Sequence, residues 1–415
     1  MSGLQSRDRH RERVVVTGMG IVSCLGNRLD GVADALRAGR SGIVHVDAWR
    51  ERGFGSHVAG AASVVDEPAF ARKYERFMGD TARFACHAAR LAVDDAGLDA
   101  DALRTPRAGA VIGSGSGALS SYDAAVTLVE QRGVEKAPPY TVPKAMSSTV
   151  SANLAHLFGL EGVTYSPSSA CTTSALAIGQ AMQLIRAGLQ DVVLTGGSEE
   201  LYDNYTLMFD AMGALSRGFN DTPQRASRPY DAARDGFVIA SGAGVLVLES
   251  LTHARARGAR IYAELTGFGQ ATDVVTMVAP GAAGIARAMQ TALDEAAVLP
   301  DYVNTHAPST PLGDAEELRA LERVFGAQVP AFSSVKALTG HPLAASGVHE
   351  AIYTLLMMRD GFMAGSVGID TLDACVGDLP LVRVTRETPL RTAMSISFGF
   401  GGSCASLMFG ALEGA

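Results

Sequence analysis

The sequence predicts an α/β protein. Two observations carry that reading. Short β-branched runs alternate with alanine-rich helical stretches along nearly the whole chain, and short motifs from the first half return in the second half in the same order. The runs at 14–17, 108–112, 191–194, 244–248, 302–305 and 331–334 read as strands. The stretches at 81–96, 173–187, 284–297, 313–325 and 347–359 carry apolar residues at helical spacing and read as helices. A length of 415 residues suits one large domain or two fused halves.

Along the chain, the charged segment 1–12 reads as a loose arm. The apolar run that follows, together with the basic residues before it, imitates a signal peptide. Thr17, Gly18 and Gly20 interrupt it, however, and no small-x-small cleavage site follows. It reads instead as a buried strand entering a glycine turn. No run of 18 apolar residues exists, so no membrane-spanning helix is expected. Val16-Thr17-Gly18-Met19-Gly20 recurs as Leu265-Thr266-Gly267-Phe268-Gly269. Ala92-Val93-Asp94-Asp95-Ala96 recurs as Ala292-Leu293-Asp294-Glu295-Ala296. Ser168-Ser169 finds an echo in Ser333-Ser334, and Arg186-Ala187-Gly188 in Arg359-Asp360-Gly361. The offset shrinks from 249 to 165–173 residues, which rules out a fixed-period solenoid and fits two copies of one α/β unit with insertions in the first. Echoes this short also arise by chance, so alone they leave duplication open.

Composition narrows the function. Hydrophobic residues make up 47% and charged residues 19%, which excludes a disordered chain. The net charge of -8 disfavours a bulk nucleic-acid binder. Five cysteines with no CxxC spacing give no disulfide framework and suit a reducing, cytoplasmic compartment.

Four stretches carry candidate chemistry. SSACTTSA places Cys171 just before the helix expected from Thr173, where the helix dipole would lower a thiol pKa. Cys24, Cys86 and Cys375 read as structural. His306 lies on the loop after the 302–305 strand, at a strand end where α/β enzymes place ligands. Lys336 and His341 sit in KALTGH, followed by Glu350. SFGFGGS at 397–403 brings Phe398, Gly399, Phe400 and Gly401 into a glycine turn that a ligand can approach closely. That turn lacks the lysine of a phosphate loop. No HExxH or comparable spacing supports a metal. Taken singly, each histidine reads as a satisfied structural one.

Together these stretches resemble the β-ketoacyl-[acyl-carrier-protein] synthases, condensing enzymes of the thiolase fold, over roughly 13–409 and nearest to the synthase I elongating type. The stretches 209–216, 220–223, 225–228 and 235–240 add to the likeness. The resemblance implies a duplicated α/β unit in an α-β-α-β-α arrangement, with halves at 13–258 and 259–412. It implies that Cys171 holds the acyl chain. His306 and His341 would stabilise the enolate left when a malonyl group loses CO₂, with Lys336 and Glu350 setting their electrostatics. The backbone N–H groups of Cys171 and Phe400 would form the oxyanion hole, and Phe398 and Phe400 a gate on a flexible loop. Thr310 would bind the pantetheine arm, and Arg72, Lys73, Arg76 and Arg132 the acidic acyl carrier protein. No cofactor, metal, nucleic acid or membrane is implied. A homodimer is, with the 191–194 strand pairing across the two-fold and residues 140–148 of the partner completing the acyl pocket.

The chain departs from the family pattern at Pro308, where a threonine is usual, and at Ile396 and Cys404, where asparagines are usual. Those departures point to a specialised fatty-acid or polyketide pathway, with plain fatty-acid elongation as the alternative. A coenzyme A-dependent thiolase using Cys404, or a non-catalytic partner lacking the nucleophile, fits the motifs less well.

Overall fold

The structure, a computed structural model, describes residues 12–412. The charged arm read at 1–12 therefore lies outside the described residues, apart from Glu12. Ten strands form the main sheet: β1 Val14–Val22, β2 Ala108–Gly113, β3 Thr164–Tyr165, β4 Val192–Glu199, β5 Gly242–Ser250, β6 Ala263–Thr272, β7 Tyr302–Asn304, β8 Ala331–Ser333, β9 Thr392–Gly399 and β10 Ser403–Gly410. Their order across the sheet is β3-β2-β4-β5-β1-β6-β10-β9-β7-β8.

That order is the same five-strand pattern twice, reflected about the centre. In the first half β1 runs antiparallel to β5 and β5 to β4, while β4-β2 and β2-β3 are parallel. In the second half β6-β10 and β10-β9 are antiparallel, while β9-β7 and β7-β8 are parallel. The halves join where Val15 and Val16 pair with Glu264 and Ala263.

The sequence echoes fall on equivalent positions and do the same physical work in each half. A Cβ on Gly18 would lie 2.3 Å from the Ala92 carbonyl oxygen, and one on Gly20 2.0 Å from that of Ala88. Gly267 and Gly269 would meet the Ala292 and Ala288 oxygens at 2.2 and 1.8 Å. Glycine is required because helix and strand backbones touch there. The acidic echo completes the motif. Met19 donates its N–H to Asp95 at 2.9 Å, and Phe268 donates to Glu295 at 2.8 Å.

Helices Thr173–Arg186 and Ser346–Asp360 pack on each other and on strands of both halves. Both are buried nearly all round, as a central layer demands. Ala175, Ile178, Met182, Val348, Ile352 and Leu356 share one core with Val14, Leu246, Leu265 and Leu407. Asp80–Ala96 covers the outer face of the first half and Ala282–Ala296 that of the second. The result is the layered α-β-α-β-α arrangement.

Expected elements recur with boundaries moved by a few residues. The 191–194 strand is β4, which runs on to Glu199. The helix expected from Gly313 starts at Pro311, whose fixed φ and missing N–H suit a first turn. β3, β6, β9 and β10 are absent from the six expected strands. Buried Ser395, Ser397 and Ser406 and the glycines dilute the apolar signal of the last three. One expectation is overturned. β4 is paired on both sides, with β5 and β2, so it has no free edge for a two-fold partner. The free edge of the first half is β3.

Candidate active site

A cavity of about 390 Å³ opens beside the ends of β9 and the 306–310 loop. Its wall includes Cys171, His306, His341, Thr310, Phe398 and Phe400. Exposed Met212, Val278, Leu312 and Phe400 mark its mouth, and Glu199 and Leu343 line its interior. The four motifs singled out in the sequence thus converge on one chamber.

Cys171 sits in the single turn Ala170–Thr172 that leads into the Thr173–Arg186 helix. Ala170 takes φ +46°, a left-handed conformation costly for a residue with a Cβ. Ser309 (φ +78°) and Leu343 (φ +45°) are held the same way on the other walls. A Cβ on Gly399 would stand 2.9 Å from the Cys171 nitrogen, so only glycine lets the β9 end approach the cysteine backbone. Cys171 Sγ does not carry the lowered pKa expected of a helix N-terminus. Burial pushes it up to about 12, helped by Glu199 and Glu350, while Lys336 pulls it down. A helix terminus contributes at most about 2 kcal/mol, less than full desolvation of a thiolate removes.

The two histidines face each other edge to face, ring centroids 5.0 Å apart. Lys336 Nζ donates to the His306 carbonyl oxygen at 2.7 Å and lies 3.3 Å from His306 Nδ1. It also forms a buried ion pair with Glu350. An ammonium can only donate, so His306 Nδ1 accepts and its remaining proton sits on Nε2. Burial first, then the positive charge of Lys336, holds both imidazoles well below their ordinary pKa. Burial pushes Glu350 up to about 7, against the opposing pull of Lys336.

Sequence reasoning missed the carboxylates that hold the histidine loop. Glu317 accepts the N–H groups of His306 and Ala307, each at 2.8 Å. Asp314 accepts those of Ser309 and Thr310 at 3.2 Å and is ion-paired with Arg234. The two acids stand three residues apart on the inner face of helix Pro311–Phe325, a spacing visible in the sequence. Glu199 was also missed. It ends β4 and accepts from Gly115, Ser116 and the Ser116 hydroxyl.

Phe398 departs from the expected flexible gate. It lies within β9, is 5% exposed and packs on His306 with centroids 4.3 Å apart. Phe400, on the turn that follows, is 37% exposed. Thr310 and Pro308 line the cavity. Ile396 and Cys404 lie behind it in the core with Ala307 and Phe398. Cys404 is 2% exposed and burial pushes it up to about 12, so it offers no second accessible thiol. Arg72, Lys73, Arg76 and Arg132 are exposed and outside the cavity. Arg76 stacks on Tyr140, which joins the 72–76 turn to the segment after Arg132. Among the described residues no cluster of His, Cys, Asp and Glu has metal-site geometry, and no helix is long and apolar enough to cross a membrane.

A cysteine at a helix start, two buried imidazoles and a glycine turn thus surround one chamber between the two halves of the sheet, and the comparisons place the chain among the acyl-transferring condensing enzymes of the thiolase fold. The chain belongs to the beta-ketoacyl synthase family: residues 11–254 match its N-terminal domain and 262–370 its C-terminal domain. It is 49% identical to 3-oxoacyl-[acyl-carrier-protein] synthase 1 of Haemophilus influenzae, over 96% of this chain and 98% of that protein. It is 47% identical to the protein of the same name from Escherichia coli, over 97% of this chain and all of the other. A beta-ketoacyl synthase crystal structure from Burkholderia phymatum superposes with TM-score 0.91 at 36% identity, covering 97% of this chain and all of that one. A type II polyketide ketosynthase in complex with its acyl-carrier protein superposes with TM-score 0.89 at 30% identity, again over 97% of this chain and all of that one.

Proposed function

We propose that the chain extends acyl chains carried on acyl carrier protein by decarboxylative condensation with malonyl carrier, in fatty-acid elongation. The convergence of Cys171, His306 and His341 on one cavity carries this reading. Cys171 attacks the acyl thioester, the carrier thiol leaves with the cysteine proton, and the chain stays on Sγ. The tetrahedral oxyanion is met by the N–H groups of Cys171 and Phe400, which Gly399 brings close. Malonyl thioester then enters and its C–CO₂ bond breaks, leaving an enolate. Neutral Nε2–H groups of His306 and His341 donate to that oxygen. The enolate carbon attacks the acyl-Cys carbonyl and the Cys171 thiolate departs. It takes up one proton to regenerate the resting thiol.

The charge logic favours two neutral donors. A cationic imidazole in a buried site would bind the malonyl carboxylate and stabilise the ground state, whereas a neutral N–H gains strength only as the enolate forms. Lys336 keeps His306 in that tautomer, and Glu317 and Glu350 fix the loop and the lysine. The pantetheine arm passes Thr310, and the acidic carrier rests on Arg72, Lys73, Arg76 and Arg132. We read the chain as halves 13–258 and 259–412, as a cytoplasmic homodimer, and as needing no cofactor beyond the carrier-borne pantetheine.

The two most similar sequences named above, those from Haemophilus influenzae and Escherichia coli, are synthase 1 proteins and favour elongation over a dedicated polyketide pathway. Pro308 offers neither hydroxyl nor N–H, so the arm is held there by shape and by Thr310. The test separates the two half-reactions. His306→Ala and His341→Ala should keep self-acylation from acyl carrier yet lose malonyl decarboxylation by roughly 10²- to 10³-fold each. Undiminished decarboxylation in both variants would remove the histidines from the mechanism.

A further inference from the structure

Tyr205 stands in the acyl chamber with no role in the chemistry above. It lies on helix Asp203–Ala211 and lines the same cavity as Cys171 and Glu199. Its ring continues an aromatic wall. Tyr205 meets Phe209 edge to face at 5.1 Å, Phe209 meets Phe237 at 5.6 Å, and Phe237 meets His341 at 5.5 Å. The three other members of that wall are apolar or catalytic; Tyr205 alone adds a hydroxyl. Five other tyrosines spend the hydroxyl on a neighbour: Tyr165 on Gln180, Tyr202 on Asp123, Tyr230 on Thr305, Tyr262 on Asp95 and Tyr302 on Ser333. The Tyr205 hydroxyl makes no hydrogen bond among the described residues.

Glu199, on the same cavity wall, cannot take it. Glu199 already accepts from Gly115 N–H at 2.9 Å, from the Ser116 hydroxyl at 2.6 Å, and more weakly from Ser116 N–H and Ala344 N–H at 3.3 and 3.4 Å. Its four lone-pair positions are occupied. Burial first, then the charges of Glu199 and Cys171, push the phenol up to about 12, so it stays a protonated donor at neutral pH.

We propose that Tyr205 is a specificity-determining residue that donates a hydrogen bond to a neutral oxygen on the acyl chain held by Cys171, so the chamber favours hydroxylated chains over plain saturated ones of equal length. This rests on the reading of Cys171 as the acylated residue. A neutral oxygen is favoured because a carboxylate on the chain would be desolvated beside Glu199, whose own carboxyl burial already pushes up to about 7.

The probes are pantetheine thioesters of octanoate and of 3-, 5- and 7-hydroxyoctanoate, and the readout is the rate of adduct formation on Cys171 by intact-protein mass spectrometry. In the wild type, at least one hydroxy isomer should acylate about two- to twelvefold faster than octanoate, the factor expected of one hydrogen bond. In Tyr205→Phe that ratio should fall to about one. Equal rates for all four thioesters in the wild type would overturn the proposal, as would an unchanged ratio in Tyr205→Phe, and both leave Cys171 as the nucleophile. Failure of every thioester to label Cys171 would overturn this proposal and the nucleophile reading together.

Discussion

His306 and His341 are useful because they are buried beside a cation. Desolvation penalises the imidazolium, and Lys336 repels it, so both pKa values fall well below the ordinary 6.5. Below about pH 6.5 the unfolded chain binds protons that the native site refuses, so these two groups withdraw stability as pH falls toward their folded pKa. With ¹⁵N-labelled histidine, the His306 and His341 rings, assigned by substitution, should keep neutral-form shifts from pH 7.5 to 5.5, as should His87 and His349, which burial holds down near 4. Titration of both catalytic rings between pH 6 and 7 would contradict their neutrality. At this scale the sequence is candid about identity and silent about environment. The motif around Cys171 picks out the cysteine that lines the chamber, but the expected low thiol pKa followed from the helix start alone. Its burial, and the approach of Glu199 and Glu350, come from segments far away in the chain. Glu317 and Asp314 were missed for the same reason. Two acids on an otherwise ordinary amphipathic helix look like solvated charge until the fold turns them onto the N–H groups of the histidine loop.

Helix-to-strand contact explains why the glycine echoes exist. Gly20→Ala and Gly269→Ala each force a Cβ into a helix carbonyl, at 2.0 and 1.8 Å. Each should cost about 1–3 kcal/mol or more, because the helix must lift from the sheet. Gly31→Ala is the control. Gly31 lies in helix Leu29–Arg37 with open space around it, so alanine there should be neutral or stabilising by roughly 0.4–1 kcal/mol. Urea unfolding of the three variants measures this, and equal losses at all three positions would mean the glycines act through chain entropy and not contact. Most strands and helices were readable because β-branched and alanine-rich segments alternate cleanly. The strands carrying the Phe398 turn were not, since Ser395, Ser397 and Ser406 face a buried interior that only the second-half core reveals.

The mirrored sheet order makes the whole molecule two similar halves whose inner helices meet at one chamber, with Cys171 from the first and His306 and His341 from the second. Neither half alone holds the chemistry. The basic turn at 72–76 lies outside that chamber, so charge reversal there should act on carrier recognition alone. Arg72→Glu, Lys73→Glu and Arg76→Glu combined should raise KM for acyl carrier protein roughly tenfold at low salt, from exposed pairs worth 0.2–1 kcal/mol each, and the effect should shrink as salt rises. Turnover of small pantetheine thioesters should not change; if it does, the turn supports the fold and not the carrier. The most direct measurement of all is peptide mapping after incubation with acyl carrier protein and no malonyl donor. A two-stage synthase predicts the acyl group on the peptide containing Cys171, its loss when malonyl carrier is added, and no labelling of Cys171→Ala. An acyl group on the Cys404 peptide, or condensation that survives in Cys171→Ala, would contradict it.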